Sequence, residues 1–344
     1  MAVLGVALVG AGFIAEYHLS ALRSLPGVAL RAVVSRSAER ARATADRFAV
    51  ADAGTSLSAM LARDDVQAVV VATPDDTHEA VTTQCLAAGK SVLLQKPMAT
   101  DSAACRRMID AAARAARDLQ VSFMHRHFEE VATAREWING GAIGEVTSIR
   151  IRNATPGPDW GAWFFQAGRV GGGVVLQLGT HGIDLVEHLF GPIARVSART
   201  ATLVRHRRLA TGEEVCVENP DSAWATYRLA SGVIVAHEMS MIEAAGCDRF
   251  RLEIYGTEGT LWLRTERGRF AAFAPRRTGA REWYAPALPE APLGERHHRR
   301  WIEGLTGTAP PEDTAHAGLR GLLVAEAIAR SSAAGGAEAV VEAG

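Results

Sequence analysis

Cysteine is scarce in this chain of 344 residues, and the four cysteines lie far apart in the sequence. Cys85, Cys105, Cys216 and Cys247 show none of the short spacings of a metal site, and their scatter gives no reason to expect disulfides. We therefore expect the protein to work in the reducing cytoplasm. An excess of charge is also missing, since the net charge is −1. A chain without a long-range field is not expected to bind nucleic acid or an anionic membrane.

Long hydrophobic runs are absent as well, and no apolar segment reaches the length that crosses a bilayer. The apolar start MAVLGVALVGAG lacks a basic segment and continues into a glycine-rich turn, which predicts a strand and not a signal peptide. With 48% hydrophobic and 22% charged residues, the composition is that of a globular protein. The length exceeds what one hydrophobic core normally organises, so we expect two domains.

The first part of the chain, residues 1–125, alternates short apolar runs with segments of helical pattern. The runs are almost continuously Val, Leu and Ala, which is typical of parallel strands covered by helices on both faces. We predict an α/β fold whose N-terminal domain is a doubly wound parallel sheet of the Rossmann type. The predicted strands are 6–10, 30–35, 68–73, 91–95 and 121–125, and the predicted helices are 13–24, 37–47, 77–88 and 101–117.

The pattern changes in residues 126–344, where runs of period two follow one another through turns. Such runs favour a largely antiparallel sheet. We predict a second α/β domain built on an open, mostly antiparallel sheet, whose C-terminal helix can pack back on the first domain. The predicted strands are the run EVTSIRIRNAT and residues 193–205, 222–230, 232–240, 249–255 and 258–264, and the predicted helices are 129–139, 295–306 and 313–332.

A glycine-rich turn, VALVGAGFIA, joins the first predicted strand to the first predicted helix. Gly10 permits the tight turn, Gly12 lets backbone N–H groups approach a pyrophosphate, and Ala15 lets helix and strand pack closely. The helix N-terminus adds partial positive charge. We therefore predict a dinucleotide site at this turn, which includes Phe13 and Ile14.

The end of the second predicted strand distinguishes NAD from NADP. An acidic residue there would bond the ribose hydroxyls and repel a 2′-phosphate. This chain has Ser35, Arg36 and Ser37 instead, with Arg40 one helical turn later. Two hydroxyls and a guanidinium suit a phosphate, so the pattern favours NADP over NAD. The alternative is an ordinary basic helix start at the surface.

The segment GGGVVLQLGTHGIDLVEHLFG, residues 171–191, predicts a helix after a glycine run. Gln177, His181 and Asp184 fall at i, i+4 and i+7 and would share one face. Gly179 and Gly182 each cost about 1 kcal/mol relative to alanine inside a helix. We interpret them as positions where the helix lies tight against neighbouring structure.

Several motifs in this order resemble those of the Gfo/Idh/MocA oxidoreductases. They are the glycine turn, ATPDDTHEA (72–80), CLAAGKSVLLQKPMA (85–99), the 171–191 segment and YGTEGTLWL (255–263). The resemblance implies a Rossmann domain, a second domain with an open sheet, and a homodimer or homotetramer formed through that sheet. We expect the apolar side chains of Val235, Ile254 and Leu261 near the face that needs cover.

The resemblance also assigns residues to the cofactor. Thr73, Pro74, His78, Gln95 and Lys96 match the T-P-x-x-x-H and E-K-P stretches of the family, except that glutamine replaces the glutamate at position 95. Glutamine keeps the length and the hydrogen-bonding reach but loses the charge.

Two side chains are the expected catalytic groups. Lys96 follows a sheet strand at its carboxyl end, where ligands of doubly wound folds bind. His181 is a residue type that titrates near neutrality. The family's first Asp on the helix is Gln177 here, and because glutamine cannot titrate, proton transfer would rest on Lys96 and His181. The alternatives are a surface lysine and a helix histidine bonded to backbone.

A small-molecule substrate is expected to meet Arg126, Gln177 and Asp184, with Trp160 and Trp163 as aromatic walls suited to sugar rings. The alternatives are a domain-interface ion pair for Arg126, a structural cap for Asp184 and core packing for the aromatic residues, which include Phe164 and Phe165. We expect no metal, because no fourth ligand accompanies His181, Asp184 and His188. The histidines at positions 125, 127, 297 and 298 are predicted to be surface or interface residues.

These observations predict an NAD(P)-dependent oxidoreductase that acts on a hydroxyl or ketone of a sugar-like or polyol substrate. Two alternatives stay open. One is a nicotinamide-binding regulator without turnover, and the other is a redox-assisted elimination or glycoside cleavage in which the cofactor is recycled within one cycle.

Overall fold

The computed structural model describes residues 3–245, 249–265 and 268–344, so Cys247 lies outside the described residues. The chain divides into two compact units. The first comprises residues 1–124 and 291–319, and the second comprises residues 125–290 and 320–344. The first unit thus takes a segment from late in the chain in addition to the predicted N-terminal region.

A six-stranded parallel sheet forms the centre of the first unit, in the order β3-β2-β1-β4-β5-β6. This is the strand order of the Rossmann fold, so the predicted fold class is confirmed. The edge strand β3 is additional to the predicted strands. The strands are β1 Leu4–Val9, β2 Val28–Val34, β3 Asp52–Gly54, β4 Ala68–Val71, β5 Ser91–Gln95 and β6 Leu119–Ser122.

Helices connect these strands, and polar side chains fix where several of them begin. Ser37, Ser56 and Asp101 each accept a hydrogen bond from the backbone N–H three residues later, which satisfies a donor at the helix N-terminus. The helices are α1 Ala15–Ser24, α2 Ala38–Phe48, α3 Leu57–Leu61, α4 His78–Ala87 and α5 Ser102–Ala115, with a 3-10 turn at Asp75–Thr77.

The second unit is organised around a nine-stranded sheet in the order β16-β15-β14-β13-β7-β12-β11-β8-β17. All neighbours pair antiparallel except β7 and β12, which pair parallel. The strands are β7 Val146–Ala154, β8 Ile193–Ala201, β11 Ser222–Leu229, β12 Ile234–Ser240, β13 Phe250–Gly256, β14 Thr260–Arg264, β15 Arg269–Phe273, β16 Trp283–Tyr284 and β17 Ala339–Val340, and β9 His206–Arg208 with β10 Glu214–Cys216 forms a separate hairpin.

Helices α6 Glu129–Asn139, α7 Thr180–Phe190 and α8 Pro275–Thr278 belong to the second unit. Helix α9 Glu295–Thr306 belongs to the first unit, where Trp301 shares a core with Leu19 and Leu22 of α1. The unit boundary falls inside α10 Thr314–Ala333. No helix in the described parts of the chain combines the length and the apolar character needed to span a membrane.

The two faces of the nine-stranded sheet differ in exposure. Val235, Ile254 and Leu261 are fully buried within the chain, so the expectation that they lie near a face in need of cover is wrong. The alternation of the strands instead puts polar and charged side chains on the other face, with the exposed Trp224 among them. The three apolar residues therefore stabilise the core of the second unit itself.

Candidate active site

The glycine turn after β1 has the geometry that a pyrophosphate site requires. Gly10 has φ +109, and a Cβ there would lie 2.2 Å from the Ala72 carbonyl oxygen, so only glycine fits. A Cβ added at Gly12 would meet no described atom within 4 Å, which leaves this stretch of backbone open to a ligand. Phe13 is 80% exposed and Ile14 immediately precedes α1. The turn and the helix N-terminus can therefore hold a dinucleotide phosphate.

The predicted ribose-recognition residues follow β2. The Ser37 hydroxyl accepts a hydrogen bond from the Arg40 backbone N–H at 3.2 Å, so it caps α2. Ser35 is half-buried at the strand end, and Arg36 and Arg40 are exposed. One of the two predicted hydroxyls therefore already serves the helix, while one hydroxyl and two guanidinium groups remain near the end of the strand.

His78 joins the loops that follow β4 and β5. Its Nε2 lies 2.9 Å from the Thr73 carbonyl oxygen, and its Nδ1 lies 2.9 Å from the Pro97 carbonyl oxygen. The ring is fully buried. Thr77 adds a hydrogen bond from its hydroxyl to that of Thr73, at 2.8 Å. The predicted cofactor residues Thr73, Pro74 and Lys96 thus belong to two loops held in one fixed arrangement at the carboxyl edge of the sheet.

Lys96 is one of only two lysines in the chain, and the two have different surroundings. The Lys90 ammonium donates to the carbonyl oxygens of Arg63 and Val66, both at 2.7 Å, so it ties loops together. Lys96 directly follows β5 and is half-buried, and its backbone N–H donates to Gln95 Oε1 at 2.7 Å. Lys96 is therefore the lysine at the carboxyl edge of the sheet, where ligands of doubly wound folds bind.

The glycine-rich segment of the second unit is not a uniform α-helix, which corrects the prediction. Residues Val175–Gly179 form a π-helical turn, and the α-helix runs from Thr180 to Phe190. Gln177 therefore sits in the irregular turn while His181 and Asp184 lie on α7. Such turns recur at functional sites because they shift side chains out of the regular helical spacing.

The helix glycines do lie tight against the sheet. A Cβ on Gly182 would come within 2.4 Å of Asn153 Oδ1 and 2.7 Å of His237 Cε1, and one on Gly179 would come within 2.3 Å of Met239 Sδ. His237 and Asn153 are themselves joined by a buried hydrogen bond, in which His237 Nε2 lies 2.7 Å from Asn153 Oδ1. Close contact with β7 and β12 therefore explains why the segment accepts residues of low helix propensity.

His181 is only 6% exposed and lies in an aromatic setting. Its ring stacks on His125 with centroids 4.2 Å apart, and the edge of Phe250 meets it at 5.8 Å. His125 in turn lies 3.1 Å from the Thr265 hydroxyl through Nδ1. The prediction that His125 is a surface or interface residue is therefore wrong, because its ring supports His181 inside the second unit.

Arg126 and Asp184, both predicted substrate ligands, bind each other. Arg126 Nε lies 2.9 Å from Asp184 Oδ2, and Nη2 lies 2.5 Å from Oδ1. Their side chains are 12% and 2% exposed. Burial raises the pKa of Asp184, and the adjacent guanidinium opposes that rise. Both residues belong to the second unit, so this ion pair is internal to that unit and is not the domain-interface pair that the sequence left as an alternative for Arg126.

The aromatic loop forms a compact cluster. Trp163 stacks on Phe164 with centroids 3.8 Å apart, and Trp160 meets Phe164 edge to face at 4.7 Å. Trp160 is 50% exposed, whereas Phe165 is buried with Leu209 and the hairpin β9–β10. Phe165 therefore packs in a core, as the alternative interpretation had it, whereas Trp160 is half exposed at the edge of the cluster.

Two further histidines were also placed wrongly from sequence. His297 and His298 are 4% and 0% exposed, so they are core residues of the first unit and not surface residues. Among the residues that the structure describes, no group of three or more His, Cys, Asp or Glu is arranged to hold a metal ion.

Two protein-family models match this chain. Residues 4–123 match the family described as "Oxidoreductase family, NAD-binding Rossmann fold", and residues 131–262 match the GFO/IDH/MocA C-terminal domain. The chain belongs to the Gfo/Idh/MocA family. It is therefore an oxidoreductase with an NAD-binding Rossmann domain, as the motifs implied.

Individual relatives match this chain over most of its length. It is 28% identical to levoglucosan dehydrogenase of Pseudarthrobacter phenanthrenivorans over 325 residues, which covers 85% of this chain and 82% of the relative. It is 29% identical to inositol 2-dehydrogenase of Acidothermus cellulolyticus over 335 residues, which covers 95% and 92%. A solved levoglucosan dehydrogenase in complex with NADH and L-sorbose shares the fold, with a TM-score of 0.90 at 24% identity over 99% of this chain and 100% of that one.

Proposed function

We propose that the protein is an NAD(P)-dependent dehydrogenase or reductase that moves a hydride between nicotinamide and a hydroxyl- or ketone-bearing carbon of a sugar-like or polyol substrate. The observation that carries this is the fixed junction of the two loops after β4 and β5. His78 ties them together, and Lys96 stands at the strand end where ligands of this fold bind. The names of the relatives, which refer to levoglucosan and inositol, support a polyhydroxylated substrate.

The chemistry needs a group that takes or gives the hydroxyl proton while the cofactor carries the hydride. Lys96 and His181 are the groups we assign to it. A half-buried ammonium polarises a carbonyl oxygen and stabilises charge that develops on it. The enclosed imidazole of His181 transfers the proton, a task for which histidine needs little perturbation. Gln177 can donate and accept hydrogen bonds but cannot titrate, so we assign it to a substrate hydroxyl.

The substrate contacts are assigned on the same physical basis. Trp160, exposed at the edge of an aromatic cluster, offers an apolar face for the C–H side of a sugar ring, with Trp163 beside it. Asp184 and Arg126 already neutralise each other, so they are better suited to bonding neutral hydroxyl groups than to binding an anion.

The test is to mix the protein with NADPH or NADH and a panel of ketosugars, and with the oxidised cofactors and the matching polyols. Steady change in nicotinamide absorbance with one substrate class is the expected result. Cofactor binding without any change would favour the regulator instead. Loss of substrate without net change in cofactor would favour the elimination or glycoside cleavage with internal recycling.

We also propose that NADP(H) binds more tightly than NAD(H). The support is that Ser35, and not an acidic residue, stands directly at the end of β2, together with the exposed guanidinium groups of Arg36 and Arg40. A phosphate would gain charge-assisted hydrogen bonds there. Because the Ser37 hydroxyl caps α2, the proposed preference for NADP(H) rests on Ser35 and the two arginines.

Ser35→Asp should reverse the cofactor preference, because a carboxylate repels a 2′-phosphate and accepts bonds from ribose hydroxyls. Fluorescence titration of both reduced cofactors measures it, with Ser58→Asp as the control that adds the same charge to an exposed serine of α3. Tighter binding of NADH than NADPH by the unaltered protein would contradict the proposal.

A further inference from the structure

A line of buried side chains extends from Lys96 into the interior of the first unit. Gln95 Nε2 lies 3.4 Å from His18 Nε2, and His18 Nδ1 lies 2.8 Å from His298 Nε2. His298 Nδ1 ends the line 2.7 Å from the Gly294 carbonyl oxygen. His18 and His298 are 0% exposed and Gln95 is 8% exposed. The proposed chemistry uses none of these side chains directly.

The two ends of the line fix the direction of every hydrogen bond in it. The Lys96 backbone N–H can only donate, so Gln95 presents Oε1 to it and turns its amide nitrogen toward His18. The Gly294 carbonyl can only accept, so His298 carries its hydrogen on Nδ1. A neutral His298 then accepts from His18 Nδ1–H, and His18 accepts from Gln95 through Nε2. With both imidazoles neutral, every link pairs one donor with one acceptor.

The surroundings favour this neutral arrangement. Burial, with His298 as the smaller contribution, holds the pKa of His18 well below its usual range. Tyr17, whose pKa is raised by burial, packs against the rings of His18 and His298, and its hydroxyl lies 3.0 Å from His297 Nδ1. Complete burial thus disfavours an imidazolium at His18.

The fold itself holds the far end of the line in position. Gly294 has φ +84, and a Cβ there would lie 2.7 Å from Tyr17 Cε2, so glycine is required on both counts. It begins α9, the late segment of the chain that packs on α1. The carbonyl that ends the line is therefore positioned by a contact between α1 and the residue that precedes α9.

We propose that Gln95, His18 and His298 form a neutral, one-directional hydrogen-bond line that positions Lys96 through its backbone, and that glutamine at 95 is what keeps the line neutral. The proposal deepens the proposed function, since it rests on Lys96 as a catalytic group. A glutamate, as in the family's E-K-P stretch, has no hydrogen to donate. It would require a proton on His18 Nε2 and convert the line into an ion pair.

The first test measures the ring of His18 directly and needs no substrate. Nitrogen-15 NMR of the histidine rings, assigned with His18→Asn, should show a neutral His18 protonated on Nδ1 throughout the neutral pH range. In Gln95→Glu the same ring should become an imidazolium, because the carboxylate raises the pKa of His18. A wild-type His18 protonated on Nε2, or an unchanged ring in the variant, would overturn the proposal.

The second test asks whether Lys96 depends on the line. His298→Leu removes the acceptor for His18, and the ring can then take the Nε2–H tautomer that opposes the Gln95 amide. We expect turnover to fall about tenfold or more with little change in KM, since small misplacements of a catalytic group are costly. Gln95→Glu added to His298→Leu should restore most of it, because the carboxylate accepts from Nε2–H. His297→Leu is the matched control, since it loses similar packing and lies outside the line.

The same variants separate this proposal from the proposed function. Because the chain has only two lysines, mass spectrometry can follow acetylation of Lys96 against Lys90 in the protein with its cofactor. We expect His298→Leu to change the rate at Lys96 alone and Gln95→Glu to reverse that change. If no substrate is ever turned over, these rates still test the line. If the effects of His298→Leu and Gln95→Glu on the acetylation rate at Lys96 are additive, the proposal is overturned, whether or not the protein shows activity.

Discussion

Lys96→Ala is expected to lower kcat by about 100-fold or more while leaving cofactor affinity nearly unchanged. A positioned acid–base or electrostatic group typically contributes a factor of this size. Lys96 is itself one of the predicted cofactor residues, but the proposed dinucleotide phosphate contacts lie at the glycine turn and at the end of β2, which the substitution does not touch. Steady-state kinetics on the substrate found in the panel, together with fluorescence titration of the cofactor, measure the two quantities separately.

Lys90→Arg is the matched control for this experiment, since it alters the only other lysine. The Lys90 ammonium is engaged with two backbone carbonyls away from the strand end, and arginine keeps a donor there. We expect it to change stability slightly and kcat hardly at all. A Lys96→Ala protein with full turnover on a genuine substrate would exclude Lys96 from the chemistry.

His181→Ala should cost a similar factor and also remove one limb of the pH profile, because histidine is the side chain that titrates nearest neutrality. His316→Ala serves as the control, since that ring is exposed and pairs with Asp313 at the surface. If His181→Ala keeps the wild-type pH profile, the enclosed histidine is a packing partner of His125 and not a proton carrier.

The architecture was largely open to prediction because its signals are local. Strands β1, β4 and β5 are short apolar runs with mostly buried side chains, and β2 is an apolar run that is buried in its second half, so these four strands are visible without knowing their partners. The three-residue strand Asp52–Gly54 was not visible, because it carries neither an apolar run nor an alternation. The π-helical turn at Val175–Gly179 was also missed, since its sequence fits a regular helix equally well.

The candidate site was predictable only where one chain segment carries both the position and the chemistry. Gly10 and Lys96 are of this kind, because a turn or a strand end fixes them locally. His125 is not, since its burial comes from Phe250 and Thr265, which are far away in sequence. His298 is similar, because its partner His18 lies 280 residues earlier. Nothing in the adjacent pair His297–His298 indicates from sequence that both rings are buried and hydrogen-bonded to Tyr17 and His18.

The contact between Arg126 and Asp184 also joins residues far apart in sequence and could not be predicted. Each residue was assigned to the substrate separately, because the sequence gives no reason to pair position 126 with position 184. The structure joins them through a two-pronged ion pair with little exposed surface. Removing one partner of such a pair leaves a buried charge uncompensated, and that cost usually exceeds the net stabilisation by the intact pair.

Asp184→Ala is therefore expected to lower the free energy of unfolding of the second unit by about 3–5 kcal/mol. Six of the seven tryptophans lie in residues 125–290, so tryptophan fluorescence in a denaturant titration reports mainly on this unit. Glu214→Ala is the matched control. Its pair with Arg208 spans 2.7 Å but is about 70% exposed on both sides, and we expect a loss below about 1 kcal/mol.

The double variant Arg126→Met with Asp184→Leu then separates stability from substrate binding. Removing both charges should recover most of the stability lost in Asp184→Ala, since no unpaired charge stays buried. If the pair also holds a substrate hydroxyl, the double variant should be stable and yet show a raised KM, because two hydrogen-bonding groups are gone. An unchanged KM would make the pair purely structural. An Asp184→Ala protein within about 1 kcal/mol of the wild type would mean that the Arg126 charge finds water or another partner, and the buried-pair argument would then fail.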